Sequence, residues 1–135
     1  GVRSFSVGVE PTPLYKKLHR AADLALQAIL GVLKPGATAQ EVVDAAGVIE
    51  ENEFTTLDDL VHGFGGGYLP PILGSKGRPA GPVPDFRFGA GMTVVVQPNV
   101  VTREGNAGVQ TGELVHITEK GVERLHNAPK GFIRV

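Results

Sequence analysis

The sequence predicts an α+β domain in which two helices pack on one face of a curved antiparallel sheet. Three observations predict it. Apolar residues recur with helical period over Leu14–Leu33, directly after a Thr12-Pro13 start. A second helix opens on Thr38-Ala39-Gln40-Glu41, which has the form of a capping box. Beyond Pro84 the helical pattern gives way to short apolar runs separated by turn residues, as in an antiparallel meander.

The elements follow in order. Val2–Val7 alternates apolar and polar side chains, as a half-buried strand does. In the first helix Thr12 supplies a hydroxyl N-cap and Pro13 a preset φ at the first helical position. Leu14, Leu18, Ala21, Ala25, Ala28 and Val32 then form one stripe, and Lys34-Pro35-Gly36 ends the helix. The second helix has Val42, Val43, Ala46 and Ile49 on its apolar face and fades by Glu53. Glycine and proline, 19 and 10 in all, concentrate between Gly63 and Pro84, which predicts one long structured loop. Met92–Val96 and Asn99–Thr102 read as strands, Arg103-Glu104-Gly105-Asn106 as a hairpin turn, and Gly108–Thr111 and Glu113–Thr118 as the next strands, closed by Glu119-Lys120-Gly121.

Composition narrows the function. The 135 residues suffice for one modest core, and 41% hydrophobic with 20% charged residues is ordinary for a soluble globular chain. Thirteen Lys and Arg against fourteen Asp and Glu give a net charge of −1, without the basic footprint of a nucleic-acid or anionic-membrane binder. No apolar run approaches the roughly 20 residues of a spanning helix. With no cysteine there are no disulfides, zinc-thiolate sites or thiol nucleophiles, and the expected location is the cytoplasm.

The candidate chemistry lies in Val61-His62-Gly63-Phe64-Gly65-Gly66-Gly67-Tyr68. Glycines beside His62 let the backbone approach a ligand, but no Gly-Lys-Ser/Thr follows, so this is not a phosphate loop. His62 can be a ligand, an acid–base group or an ordinary turn histidine. His19 reads as solvated beside helix charges, His116 as a packing or surface residue, and His126 as lacking a partner. Asp58-Asp59 can supply carboxylates to His62 or form a cap or solvated turn. Leu69-Pro70-Pro71-Ile72-Leu73 reads as a pocket wall, a lid or a hydrophobic loop plug.

Taken in order, the motifs resemble the pita-bread metallopeptidases: methionine aminopeptidase, aminopeptidase P, prolidase and creatinase. The matching segments are Lys34-Pro35-Gly36-Ala37-Thr38, His62-Gly63-Phe64-Gly65, Gly91-Met92 leading to Gln97-Pro98, and Gly108-Val109-Gln110-Thr111-Gly112 leading to Thr118-Glu119-Lys120-Gly121. Each is weak alone; their order is specific. The resemblance implies that residues 1–135 form the C-terminal part of a pita-bread domain, with Arg3-Ser4-Phe5 just past a family aspartate and roughly a hundred residues further upstream. It also implies a site that binds two divalent metals such as Mn, Zn, Co or Fe through two Asp, one His and two Glu, activating a bridging water.

This chain departs from that set. His62 is kept, Gln97 stands at the first Glu position and Gly112 at the second, with Glu113 one step along the strand and therefore on the opposite face. Leu69 falls where the family has a second histidine. The expectation is therefore no metal cofactor, and a pocket in which His62, Tyr68, Gln97, Gln110 and Gly112 meet a small amide or peptide. His62 would be the catalytic candidate. The alternative is a non-catalytic peptide- or protein-binding module. An uncovered apolar sheet face would favour self-association or pairing with the upstream half.

Overall fold

A computed structural model describes residues 1–135. A short strand β1 (Phe5–Ser6) precedes helix α1 (Pro13–Val32), whose Thr12 side chain accepts from the Tyr15 N–H as the capping reading requires. Helix α2 (Ala39–Ala45) carries the full reciprocal box: Thr38 Oγ1 accepts from the Glu41 N–H at 3.1 Å, and Glu41 Oε2 accepts from the Thr38 N–H at 2.7 Å. The second predicted helix breaks at Ala46-Gly47 and resumes as the single turn α3 (Val48–Glu51), because glycine there gives up helical propensity and supplies no side-chain cap.

The strands β2 (Val61–Phe64), β3 (Tyr68–Leu73), β4 (Thr93–Val96), β7 (Glu113–Thr118) and β8 (Gly121–Arg124) make one antiparallel sheet in the order β3-β2-β4-β7-β8. Between them, β5 (Asn99–Val101) and β6 (Gly108–Gln110) form a separate hairpin across the predicted turn. A final strand β9 (Ile133–Arg134) pairs in parallel with β1. The α+β architecture with helices on an antiparallel sheet is therefore observed.

Several local readings are corrected. The Gly/Pro-rich segment does not begin as a loop: its first part is the β2–β3 hairpin, and only the part after Leu73 is irregular. Leu69-Pro70-Pro71-Ile72-Leu73 is thus part of an edge strand, with both prolines at the bulge opposite His62 and Gly63, where they cost no ladder bond. Strands β8 and β9 lie beyond the elements expected from pattern, and the first strand shortens to two residues.

One face of the sheet builds the core. Val61, Leu73, Val94, Val96, Val115 and Ile117 meet Leu18, Ala22, Ala25, Ile29, Val42 and Ile49 from the helices in a single cluster. Strand alternation turns the intervening residues to the other face. There, Ile72, His62, Val95 and Leu114 stand in one cross-strand row. Ile72 is exposed and Val95 and Leu114 are half-buried, so this second face carries no layer of its own. That face holds the candidate site.

Candidate functional site

Strand β2 presents His62 away from the helices. Its register against β3 shifts between His62 and Gly63, and a Cβ at Gly63 would lie 2.5 Å from the Pro70 carbonyl oxygen. Only glycine fits this bulge, and the bulge sets the direction of the histidine ring. The His62 Nδ1 is 2.8 Å from the Gly63 carbonyl oxygen. A carbonyl can only accept, so Nδ1 carries the proton of the neutral ring and Nε2 keeps the lone pair. The Tyr68 ring stacks on the imidazole with centroids 3.8 Å apart, leaving His62 only 5% exposed.

Tyr68 is tied in turn. Its hydroxyl donates to Asp59 Oδ1, while Gln97 Nε2 donates to Asp59 Oδ2 at 3.4 Å. Asp59 is buried, and burial pushes its carboxyl above the usual range although the Tyr68 hydroxyl pulls the other way. The Tyr68 phenol is raised by its own desolvation and then by the Asp59 charge. The backbone beneath is fixed by Asn99, whose Oδ1 accepts from the Leu57 and Asp58 N–H groups and whose Nδ2 donates to the Asp59 carbonyl at 3.0 Å. Asp58 only turns back on the Asp59 N–H.

The five residues expected to form a site occupy one strip. His62 and Tyr68 stack, and Gln97 reaches them through Asp59. The Gln110 side chain donates to the Gln97 carbonyl at 3.4 Å. Gly112 lies against the same strand, where a Cβ would meet the Val96 carbonyl oxygen at 3.0 Å and Gln97 Cα at 3.2 Å. Asp59 is the member that residue-level reading set aside as a cap or solvated turn. Its partners lie 9 and 38 residues away, so only the pairing of β2 with β3 and β4 assembles the cluster. An apolar hollow of about 330 Å³, walled by Phe64, Leu69, Pro70, Phe86, Phe88 and Met92, contains none of the strip residues, and its Phe88 belongs to the helix-side core.

Glu113 faces the other way, as strand alternation requires. Its buried carboxylate takes Arg3 Nη2 at 2.6 Å, and Arg124 Nε at 3.1 Å and His126 Nε2 at 2.9 Å lie beside it as ion-pair contacts. Burial alone would raise its pKa, but Arg124 and Arg3 hold it below the usual value. Arg3 spends every N–H it has: besides Glu113, it donates to the carbonyls of Val2, Gly112, Ala128 and Pro129. His126 Nε2 comes within 2.9 Å of that carboxylate, but neither ring nitrogen makes a hydrogen bond, and burial lowers its pKa. His19 is likewise not solvated. It is 7% exposed, pairs with Asp23 and meets the Phe132 ring edge-on at 5.2 Å, because the C-terminal tail folds over it. His116 is half-buried, opposite Thr93 and Glu123.

No three His, Cys, Asp or Glu side chains of this chain converge into a metal-binding group. No helix is long and apolar enough to cross a membrane.

Comparison with known proteins places this architecture. The model of metallopeptidase family M24 matches residues 2–119. The chain belongs to metallopeptidase family M24. Solved structures agree with the M24 assignment over nearly all of the chain. The X-Pro aminopeptidase from Thermotoga maritima MSB8 superposes with a TM-score of 0.80 at 26% identity, covering 98% of this chain and 36% of that one. The dipeptidase PepE from Mycobacterium ulcerans gives 0.79 at 25%, covering 98% and 34%. A dipeptidase from Pyrococcus horikoshii OT3, at 21% identity, shares the fold with a TM-score of 0.81 over 98% of this chain. The M24 chain described here thus spans about a third of the length of these structures. None of the curated proteins searched matches it significantly.

Proposed function

We propose that this M24 chain is the C-terminal part of a pita-bread domain with a degenerate metal site, and that its His62 face binds or acts on a small amide or peptide without the two-metal mechanism. The observation that carries the reading is the pairing of Gln97 with Asp59 beside His62, where the family resemblance calls for a carboxylate directed at metal. Hard divalent ions need anionic oxygen ligands to offset their charge. Gln97 is neutral and already engaged, and Gly112 packs so closely on Gln97 and Val96 that it leaves little room for the second carboxylate. The residues of this chain do not fit a dinuclear centre.

The chemistry that is left belongs to His62 and Gln97. With Nδ1 held by the Gly63 carbonyl, His62 Nε2 can accept a proton from a bound ligand. Gln97 orients an amide through its own amide. The M24 lineage and the dipeptidase and X-Pro aminopeptidase names of its structural relatives support a peptide-like ligand. The second reading is a peptide-binding pseudoenzyme. It is favoured by the stacking of Tyr68 over His62, which covers the ring a substrate would need.

A dipeptide and amide hydrolysis screen on the full-length protein, run beside His62→Ala, decides between them. Turnover lost on that substitution supports catalysis. Turnover unaffected by it removes His62 from the mechanism, and binding without turnover supports the pseudoenzyme. A cytoplasmic location and pairing through the uncovered sheet face belong to the same proposal. Light scattering checks the pairing: a strictly monomeric, well-folded chain contradicts it.

A further inference from the structure

Two of the groups that the His62 strip could offer a ligand are already taken by a residue of the chain itself. The Tyr68 ring lies on the His62 imidazole with centroids 3.8 Å apart and planes 19° from parallel, and its hydroxyl donates to Asp59 Oδ1. His62 Nε2 bonds to no protein atom, yet it is not sealed from solvent. Asp59 is 5% exposed and enters none of the ion pairs of the chain. Its carboxylate has only neutral donors, the Tyr68 hydroxyl and the Gln97 amide at 3.4 Å. A buried carboxylate that loses such a donor is left unsatisfied, so whatever takes the place of Tyr68 must bring a donor of its own.

Tyr68 is held lightly. It is 53% exposed, lies outside the hydrophobic core, and makes no side-chain hydrogen bond other than the one to Asp59. Directly before it run Gly65, Gly66 and Gly67, all exposed. Gly66 has φ +79°, in the left-handed region that glycine enters freely, and a Cβ at Gly66 or Gly67 would meet nothing within 4 Å. One hydrogen bond, from the Gly65 N–H to the Gly67 carbonyl at 3.2 Å, closes the turn. Tyr68 is also the end of the β2–β3 ladder, opposite Phe64. Its ring leaves the seat by turning into solvent about three glycines, with no core residue displaced.

We infer that the seat of Tyr68 is a subsite for a phenol, as on a tyrosine side chain, and that Tyr68 is the chain's own stand-in, displaced when ligand binds. This rests on the reading that the His62 face binds a small amide or peptide, and it adds the side chain that the face selects. The imidazole takes the ring and Asp59 takes the hydroxyl. A phenylalanine ring stacks in the same way but strands the buried carboxylate, and a site built to hydrogen-bond a hydroxyl rejects the analogue that lacks it. Selectivity therefore lies in Asp59, and competition in Tyr68.

The test titrates the full chain, Tyr68→Ala and Tyr68→Phe with N-acetyltyrosinamide and N-acetylphenylalaninamide, read from the His62 ring signals in 1H–15N NMR. Circular dichroism checks the fold of each variant. Tyr68→Ala vacates the seat and binds the tyrosine compound about tenfold more tightly than the parent chain does. It also prefers that compound to the phenylalanine one by about tenfold, the effect of one hydrogen bond to a charged group. Tyr68→Phe keeps the stack and drops the hydroxyl, so its affinity falls between the other two. The inference is overturned, and the peptide reading left standing, if Tyr68→Ala binds both compounds alike, or if both variants bind the tyrosine compound only as tightly as the parent. If neither compound moves the His62 signals in any of the three chains, both fall.

Discussion

Replacing Glu113 by Gln tests the ionic hub that joins the two ends of the chain. The carboxylate is 2% exposed, and around it stand Arg3, itself 5% exposed, Arg124 and His126. The amide is isosteric, so packing is conserved and only the charge is lost. Arg3 then keeps its carbonyl acceptors but becomes a buried cation without a counter-ion. Removing one partner of a buried pair typically costs about 3–5 kcal/mol. That is a large part of the stability of a domain this size, and it corresponds to a fall in Tm on the order of 10–20 °C. Urea unfolding at pH 7 and calorimetry measure it. A loss below about 1 kcal/mol, the value of an exposed pair, would refute the claim that the hub is desolvated. Acid adds a second check. The folded-state pKa of Glu113 is depressed, so its stabilisation is fully present above the unfolded value of 4.5 and is lost as pH falls through the folded value. The parent chain should therefore lose stability below about pH 4.5, and Glu113→Gln should lose less there.

Four further outcomes follow from the same geometry. Asp59→Asn keeps an acceptor for the Tyr68 hydroxyl and removes a buried charge whose pKa is raised, so at pH 7 it should stabilise the fold by about 1 kcal/mol in denaturant unfolding, the gain expected when a functional group is neutralised. The sign is opposite to that of Glu113: the Asp59 contribution is fully present below the unfolded value of 3.8 and is lost as pH rises through the folded one. Ile29→Ala, at a fully buried core position, should cost about 2–5 kcal/mol by chemical denaturation. Thr38→Ala removes half of the capping box and should cost about 1 kcal/mol in the same assay. Gly112→Glu, which returns the family carboxylate, should destabilise by about 1–3 kcal/mol because its Cβ meets the Val96 carbonyl; a neutral change in Tm would show that the site has room for it.

What was legible in the sequence was what neighbouring residues decide. Both helix starts are local hydrogen-bond devices, Thr12 three residues before Tyr15 and Thr38 three before Glu41, and both formed as read. The meander strands were legible because β4 and β7 pair residues whose alternation already separates core from site face. The β2–β3 hairpin was not. Glycines and prolines mask the strand pattern, and their tolerance depends on an edge position that only the completed sheet defines. The histidines failed for a similar reason. His19 is covered by Phe132 and His126 is buried beside Glu113, neighbours brought from elsewhere along the chain by tertiary packing. The site strip lay in between: His62, Gln97 and Gly112 could be named from ordered motifs, whereas Asp59 became visible only once Tyr68 and Gln97 closed on it.

The central claim is that this M24 chain keeps the scaffold without a two-metal centre. Elemental analysis of the protein purified without chelator, in the presence of manganese, zinc, cobalt and iron, tests it most directly. The account predicts far less than one metal ion per chain, unchanged by His62→Ala. Two ions per chain, lost on that substitution, would contradict it.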